Sequence, residues 1–211
     1  MHRFFLILLG SVSLTACAQL AQLDEYLTPR ATSTVSPRFV PANYRRIAVL
    51  VIDNTGRSGG GVRRQAEDAF MRAVIGKGYT LAARSDVDRV VDELRFQRSG
   101  YTSEDIARVG NMLNVSALLI ASIDHASLRS RNYRLRDGGS NTVYYSQATV
   151  SARLVSVREA EVLWLASFTG SQTLGDRGNN DEEAIPGVAA VVASALPSAI
   201  PPVASPRSKS R

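Results

Sequence analysis

Residues 46–56 read Arg46-Ile-Ala-Val-Leu-Val-Ile-Asp-Asn-Thr-Gly56, a short apolar, β-branched run that stops at turn residues. That length and those boundaries predict a buried strand. After the glycines at 59–61 the period changes. Val62, Ala66, Phe70, Ala73 and Val74 fall on one side of a helix, with Arg63, Arg64, Glu67 and Arg72 on the other. Lys77-Gly78 closes that helix, because glycine tolerates the left-handed conformation a helix stop needs. Residues 79–83 are expected as a second short strand. Ser85 then reads as an N-cap, with Asp86 and Asp88 in a first turn where the helix dipole favours negative charge. Val87, Val90, Val91 and Leu94 give this helix its apolar stripe. Ser103-Glu-Asp opens a third helix carried by Ile106, Val109 and Leu113. Residues 115–123 form the most apolar run of the domain and are expected as its central strand. The order β-α-β-α-α-β predicts an α/β fold, a single domain with a central mixed sheet.

Beyond the central strand, residues 127–137 carry Arg129, Arg131, Arg134 and Arg136. Gly138-Gly-Ser-Asn141 is a turn cluster, and residues 142–157 alternate in the manner of a strand. A turn near 158–160 leads into Glu161-Val-Leu-Trp-Leu-Ala-Ser-Phe168. These predict two or three antiparallel strands joined by hairpins. Residues 175–181 read as a polar loop, and residues 182–196 as a C-terminal helix that tolerates Pro186 only in its first turn.

The N-terminus speaks to the compartment. His2-Arg3 is a positive start, residues 4–9 are apolar, and Leu14-Thr-Ala-Cys17 follows. The apolar part is too short to span a bilayer, so 1–16 reads as a cleaved signal peptide. The residues before Cys17, the chain's only cysteine, have the small-residue pattern of a bacterial lipoprotein signal. The competing reading is an ordinary secretory signal that happens to contain a cysteine. In a lipoprotein the Cys17 thiol carries a diacylglycerol and becomes the new N-terminus. Ala18 in the next position, in place of aspartate, resembles lipoproteins sent to the outer membrane. Two or three acyl chains, at about 0.8 kcal/mol per buried CH₂, anchor firmly. The expected partner is thus outer-membrane lipid, with the domain facing the periplasm. Residues 17–43, rich in Ala, Gln, Ser, Thr and Pro, read as a tether with an extended reach on the order of 85 Å. The domain is expected over 44–197, and 198–211 as a disordered basic tail.

Lipidation of Cys17 leaves no thiol for a disulfide, a nucleophile or a metal. Only His125 remains once the signal is removed, so metal sites and Ser–His or Cys–His catalysis have almost no raw material. The acidic pairs at 86/88, 92/93 and 104/105 read as caps and solvated helix faces. Gly56-Arg-Ser-Gly-Gly-Gly61 lies between a strand and a helix but lacks the spacing of a nucleotide fingerprint. The reading is therefore non-enzymatic, with no cofactor and no metal. The net charge is +6, nearly all of it arginine, and +5 without Arg3. In an exported protein this points to anionic envelope surfaces rather than nucleic acid.

Four stretches stand in order: 47–54, Ala83-Arg-Ser-Asp-Val-Asp88, 110–123 and Glu161-Val-Leu-Trp164. Together with the Cys17 pattern they resemble the curli secretion (CsgG) family of envelope lipoproteins, over about 45–170. The resemblance implies an α/β domain similar to the N-terminal domain of TolB. Several members form rings at the outer membrane, and relatives act as periplasmic accessory lipoproteins. It thus implies a homo-oligomer or an envelope protein partner, and a part in export or biogenesis of a surface polymer. An alternative is a periplasm-spanning regulator that activates a cell-wall synthase, which the tether suits. Channel-forming members insert two long hairpins per subunit, and this chain departs from them. Its one long candidate hairpin has Arg129 and Arg131 on one face and Arg134 and Arg136 on the other. An arginine at mid-bilayer on a lipid face costs about 2–4 kcal/mol. The four arginines read either as guards of a solvated edge strand or as a contact for an anionic surface.

Overall fold

The apolar run that begins at Ile47 pairs in parallel with the run that begins at Ala117, from Ile47↔Ala117 to Asp53↔Ile123. A computed structural model describes residues 29–56, 60–93, 102–175 and 180–200. Within it one unit begins at Ala31. Its strands are β1 (Thr32–Val35), β2 (Arg46–Asp53), β3 (Thr80–Leu81), β4 (Ala117–Arg134), β5 (Ser140–Ser156) and β6 (Val162–Gly175). Its helices are α1 (Gly60–Gly76), α2 (Arg84–Glu93), α3 (Ser103–Met112) and α4 (Ile185–Ser194). The six strands make one mixed sheet in the order β1-β6-β5-β4-β2-β3. The α/β class read from the sequence is the class observed.

Alternation along β4 sorts the core onto the two faces of this sheet. Leu119, Ala121 and Ile123 join Phe70 and Val74 of α1, Val188 and Val192 of α4, and Trp164 of β6. Leu118 and Ile120 join Val87 and Val90 of α2 with Ile106 and Val109 of α3. Two helices therefore cover each side of the β2–β4 region, which is why those strands are apolar on both faces.

Local chemistry fixes the helix ends. Gly78 takes φ +85° just past α1, the left-handed stop expected there. Thr102 caps α3 through a reciprocal box with Asp105: its hydroxyl accepts from the Asp105 amide at 3.2 Å, and the carboxylate accepts from the Thr102 amide at 3.1 Å. Hydrogen bonds from the Thr102 hydroxyl, then its amide, hold the Asp105 carboxyl below its ordinary range. Pro186 lies in the first turn of α4, where its missing N–H costs no helical bond.

Four readings change. The 17–43 segment is not tether throughout, because Thr32–Val35 pairs antiparallel with β6 from Thr32↔Ser167 to Val35↔Trp164. Phe39 is buried, and Arg38 pairs with Glu161 at 2.7 Å. The strand has no buried residue, so no apolar alternation marks it; its backbone bonds to β6 hold it. Ser85 is not the N-cap of α2. The helix starts at Arg84, and the amides of Asp86 and Val87 donate to the Ala83 carbonyl. Glu67 does not lie on a solvated face. It is 4% exposed and accepts from Arg84 Nε at 2.8 Å, while the same guanidinium also bonds Asp68. The central strand and the basic strand are one element of 18 residues, with a bulge between Ile123 and His125.

Candidate functional site: the basic arm

Past the bulge β4 has left β2, whose pairing ends at Asp53↔Ile123. It continues with β5 to Arg134↔Ser140, while β6 follows β5 as far as Tyr144↔Gly175. From Ser122 to Arg134 is 12 steps, about 40 Å of strand. A hairpin arm backed by a third strand thus projects past the β2 end of the core.

Polar contacts fasten its root. The Asp124 carboxylate accepts from the hydroxyls of Ser122 and Ser151, each at 2.6 Å. Asn54, past the end of β2, donates to it at 3.4 Å. Ser146 is fully buried; its hydroxyl donates to the Asp181 carbonyl at 2.7 Å and accepts from the Ala184 amide at 2.9 Å. This ties the arm to the start of α4. His125 is exposed beside the bulge on β4.

Farther out β4 is exposed on both faces from Leu128 to Arg134, while Thr142–Tyr145 of β5 are half-buried. Arg129 and Arg131 stand on one side with Tyr133, opposite Tyr145, Val143 and Asn141. Arg134 lies on the other side, and Arg136 is in the turn beyond β4. All four arginines are exposed, and among the described residues none makes an ion pair with a carboxylate. Asp137, the acid of the tip, accepts from the Gly139 amide at 3.0 Å. The Tyr133 and Tyr145 hydroxyls lie 2.7 Å apart. Hydrogen bonding from Tyr145, then from Arg131, pulls the Tyr133 phenol below its ordinary value. The same contact with Tyr133 pushes Tyr145 up.

The structure therefore brings Arg129, Arg131 and the tip arginines into one projecting element, as the sequence placed them. It adds Tyr133, Tyr145 and Leu135, which alternation alone did not single out. Cys17 lies outside the described residues. At the opposite end of the sheet, Asn43, Tyr44, Asn111, Ser116 and Arg158 line a cleft of about 660 Å³. Its walls mix amides and hydroxyls with Arg158, Glu159 and the apolar Ala107, Val115 and Val157.

The described residues define an α/β protein with an open six-stranded mixed sheet and a basic arm. No family model matches the sequence, and none of the curated proteins does. Solved structures are similar. The PelC dodecamer from Paraburkholderia phytofirmans is 16% identical, covering 78% of this chain and 94% of that one, with a TM-score of 0.41. Lipoprotein GNA1162 from Neisseria meningitidis is 18% identical over 70% and 94% of the two chains, with a TM-score of 0.44. LpoB from E. coli is 17% identical over 61% and 59%, with a TM-score of 0.42. At these values the likeness carries no functional argument. The curli secretion family is not shown by them and stays a resemblance carried by the residues quoted above.

Proposed function

We propose that this chain is a lipid-anchored envelope protein that works by binding rather than catalysis, as an assembly or accessory component for export or biogenesis of a surface polymer. The observation that carries the reading is Cys17, the chain's single cysteine, placed directly after an apolar leader and Leu14-Thr-Ala. The resemblance to envelope lipoproteins of the curli secretion type and the arginine-dominated positive charge agree with it. So does the residue inventory, which leaves one histidine, His125, and no free thiol for His–Cys metal sites or for Cys–His and Ser–His catalysis once the leader is removed.

The alternative, a regulator reaching a cell-wall synthase across the periplasm, drew on a tether of residues 17–43. Folding of residues from Ala31 onward leaves at most about 50 Å of chain between Cys17 and the sheet. That shortens, without abolishing, the tether which favoured the alternative.

The test is intact mass of the mature protein with fractionation of the membranes, in the wild type and in Cys17→Ser. The expected mature chain begins at an acylated Cys17 and sediments with the outer membrane, and the variant stays uncleaved or soluble. Normal maturation and outer-membrane fractionation of the variant refute the anchor. Light scattering on the detergent-solubilised protein then separates a self-assembling component from a monomeric binder.

A further inference from the structure

We propose that the tip of the β4–β5 arm rests on the headgroups of the membrane that holds the anchor, its ligand being an anionic phospholipid surface. The inference deepens the lipoprotein reading and rests on it.

Strand direction supplies the first support. β1 runs antiparallel to β6, so Thr32 lies level with Ser167, and through it with Ser151 and Ser122. The chain therefore enters the sheet from the end at which the arm projects. An anchor at Cys17 pulls the folded unit toward the bilayer by that same end. Lengths supply the second. From Cys17 to Ala31 the backbone spans at most about 50 Å, and the arm extends about 40 Å past the level where the chain enters. The arm thus takes up most of the gap even with the connecting chain fully stretched. About 10 Å of slack in that chain is then enough for the tip to meet the lipid.

The chemistry of the tip suits that contact. Arg134 and Arg136 are exposed there, Tyr133 is 40% and Leu135 47% exposed, and Arg129 and Arg131 follow behind. Guanidinium groups bind phosphate through paired N–H bonds, and tyrosine favours the headgroup level because its ring is amphipathic. Arginines on opposite faces spoil a strand that must present one clean side to lipid tails. They do not spoil a hairpin that meets the headgroups end-on, where both faces touch phosphate.

The experiment uses the full lipidated chain carrying Ser140→Cys. With Cys17 acylated this is the sole free thiol, and it takes an environment-sensitive fluorophore at the tip. Arg158→Cys, in the exposed turn at the opposite end, serves as the comparison site. Both proteins are reconstituted in vesicles of phosphatidylethanolamine with about a quarter phosphatidylglycerol, or of phosphatidylcholine alone, each containing a headgroup-bound quencher. The label at 140 is expected to be quenched in the anionic vesicles and the label at 158 to stay bright. Changing all four arginines to glutamine should cut the quenching at 140 about threefold or more. So should neutral lipid, or salt at about 1 M, where charges are screened beyond about 3 Å. Trp164 fluorescence checks that the variant is folded. Equal brightness at the two sites, or quenching at 140 indifferent to arginine, lipid charge and salt, overturns the proposal and leaves the arm free for a glycan or protein surface. An intact mass showing Cys17 unmodified overturns the anchor and the inference together, and so is told apart from a tip that misses the membrane.

Discussion

Gly110→Ala tests how α3 sits on the sheet. A Cβ built at Gly110 meets Val157 Cγ2 at 2.1 Å, Cγ1 at 2.5 Å and Cβ at 2.9 Å. No staggered rotamer of Val157 clears both methyl contacts and none moves its Cβ, so the backbone itself must move. It is held, since the Val157 amide donates to the Ser116 carbonyl at 3.1 Å and the Val115 amide to the Gly110 carbonyl at 3.0 Å. Replacing glycine by alanine inside a helix ordinarily gains about 1 kcal/mol. Overpacking a closed core costs about 1–3 kcal/mol, and a contact no rotamer can relieve belongs at the upper end. The net expectation is a loss of about 2 kcal/mol, or about 4–8 °C in Tm for a domain of this size. Urea unfolding read by Trp164, the only tryptophan and fully buried, measures it. Val157→Ala in the same chain removes the two methyl groups and should restore part of the loss, giving a coupling of about 1 kcal/mol or more. A Gly110→Ala protein as stable as the wild type, or two substitutions that simply add, refutes this packing.

Leu119→Ala, at a fully buried position of β4, should cost about 2–5 kcal/mol, and Arg72→Ala on the exposed side of α1 less than about 0.5 kcal/mol; equal losses in urea melts contradict the sheet. Arg84→Ala strips Glu67, whose side chain is 5% exposed, of its cation. Leaving a buried charge unpaired costs about 3–5 kcal/mol, and the partial exposure of Arg84 puts the expected loss at or below the lower figure, with Glu67→Gln in the same protein recovering part of it. Tyr79 is pushed up to about 12 by burial, and its hydroxyl donates to the Pro197 carbonyl at 2.9 Å. A raised acid favours the neutral phenol in the fold, so its contribution is intact below pH about 10 and lost as pH climbs from there to about 12. Tyr79→Phe should flatten that alkaline decline, seen as Tm against pH. In an ultraviolet titration, Tyr145→Phe should return Tyr133 toward its ordinary value; no change would separate the two hydroxyls.

The sequence by itself determined the β-α-β-α-α-β order, the apolar runs 47–52 and 115–123 (the second a strand from Ala117 onward), and the stop at Gly78. Each rests on local period or on one residue's allowed backbone, which neighbours along the chain suffice to express. It also determined the Cys17 pattern and the run of four arginines, because both are composition at fixed spacing. Glu67 shows where local period stops: charge set it on the solvent side of α1, and only the approach of Arg84 from another helix explains its burial. Thr32–Val35 shows the same limit in a strand, since four exposed residues without an apolar face become β-structure only when β6 offers its backbone edge. Tertiary structure alone joined the central strand to the arginine strand across a polar bulge at Asp124, where local chemistry signals a break. It also decided that the chain enters the sheet at the arm's end, because strand direction follows from pairing partners far apart in sequence.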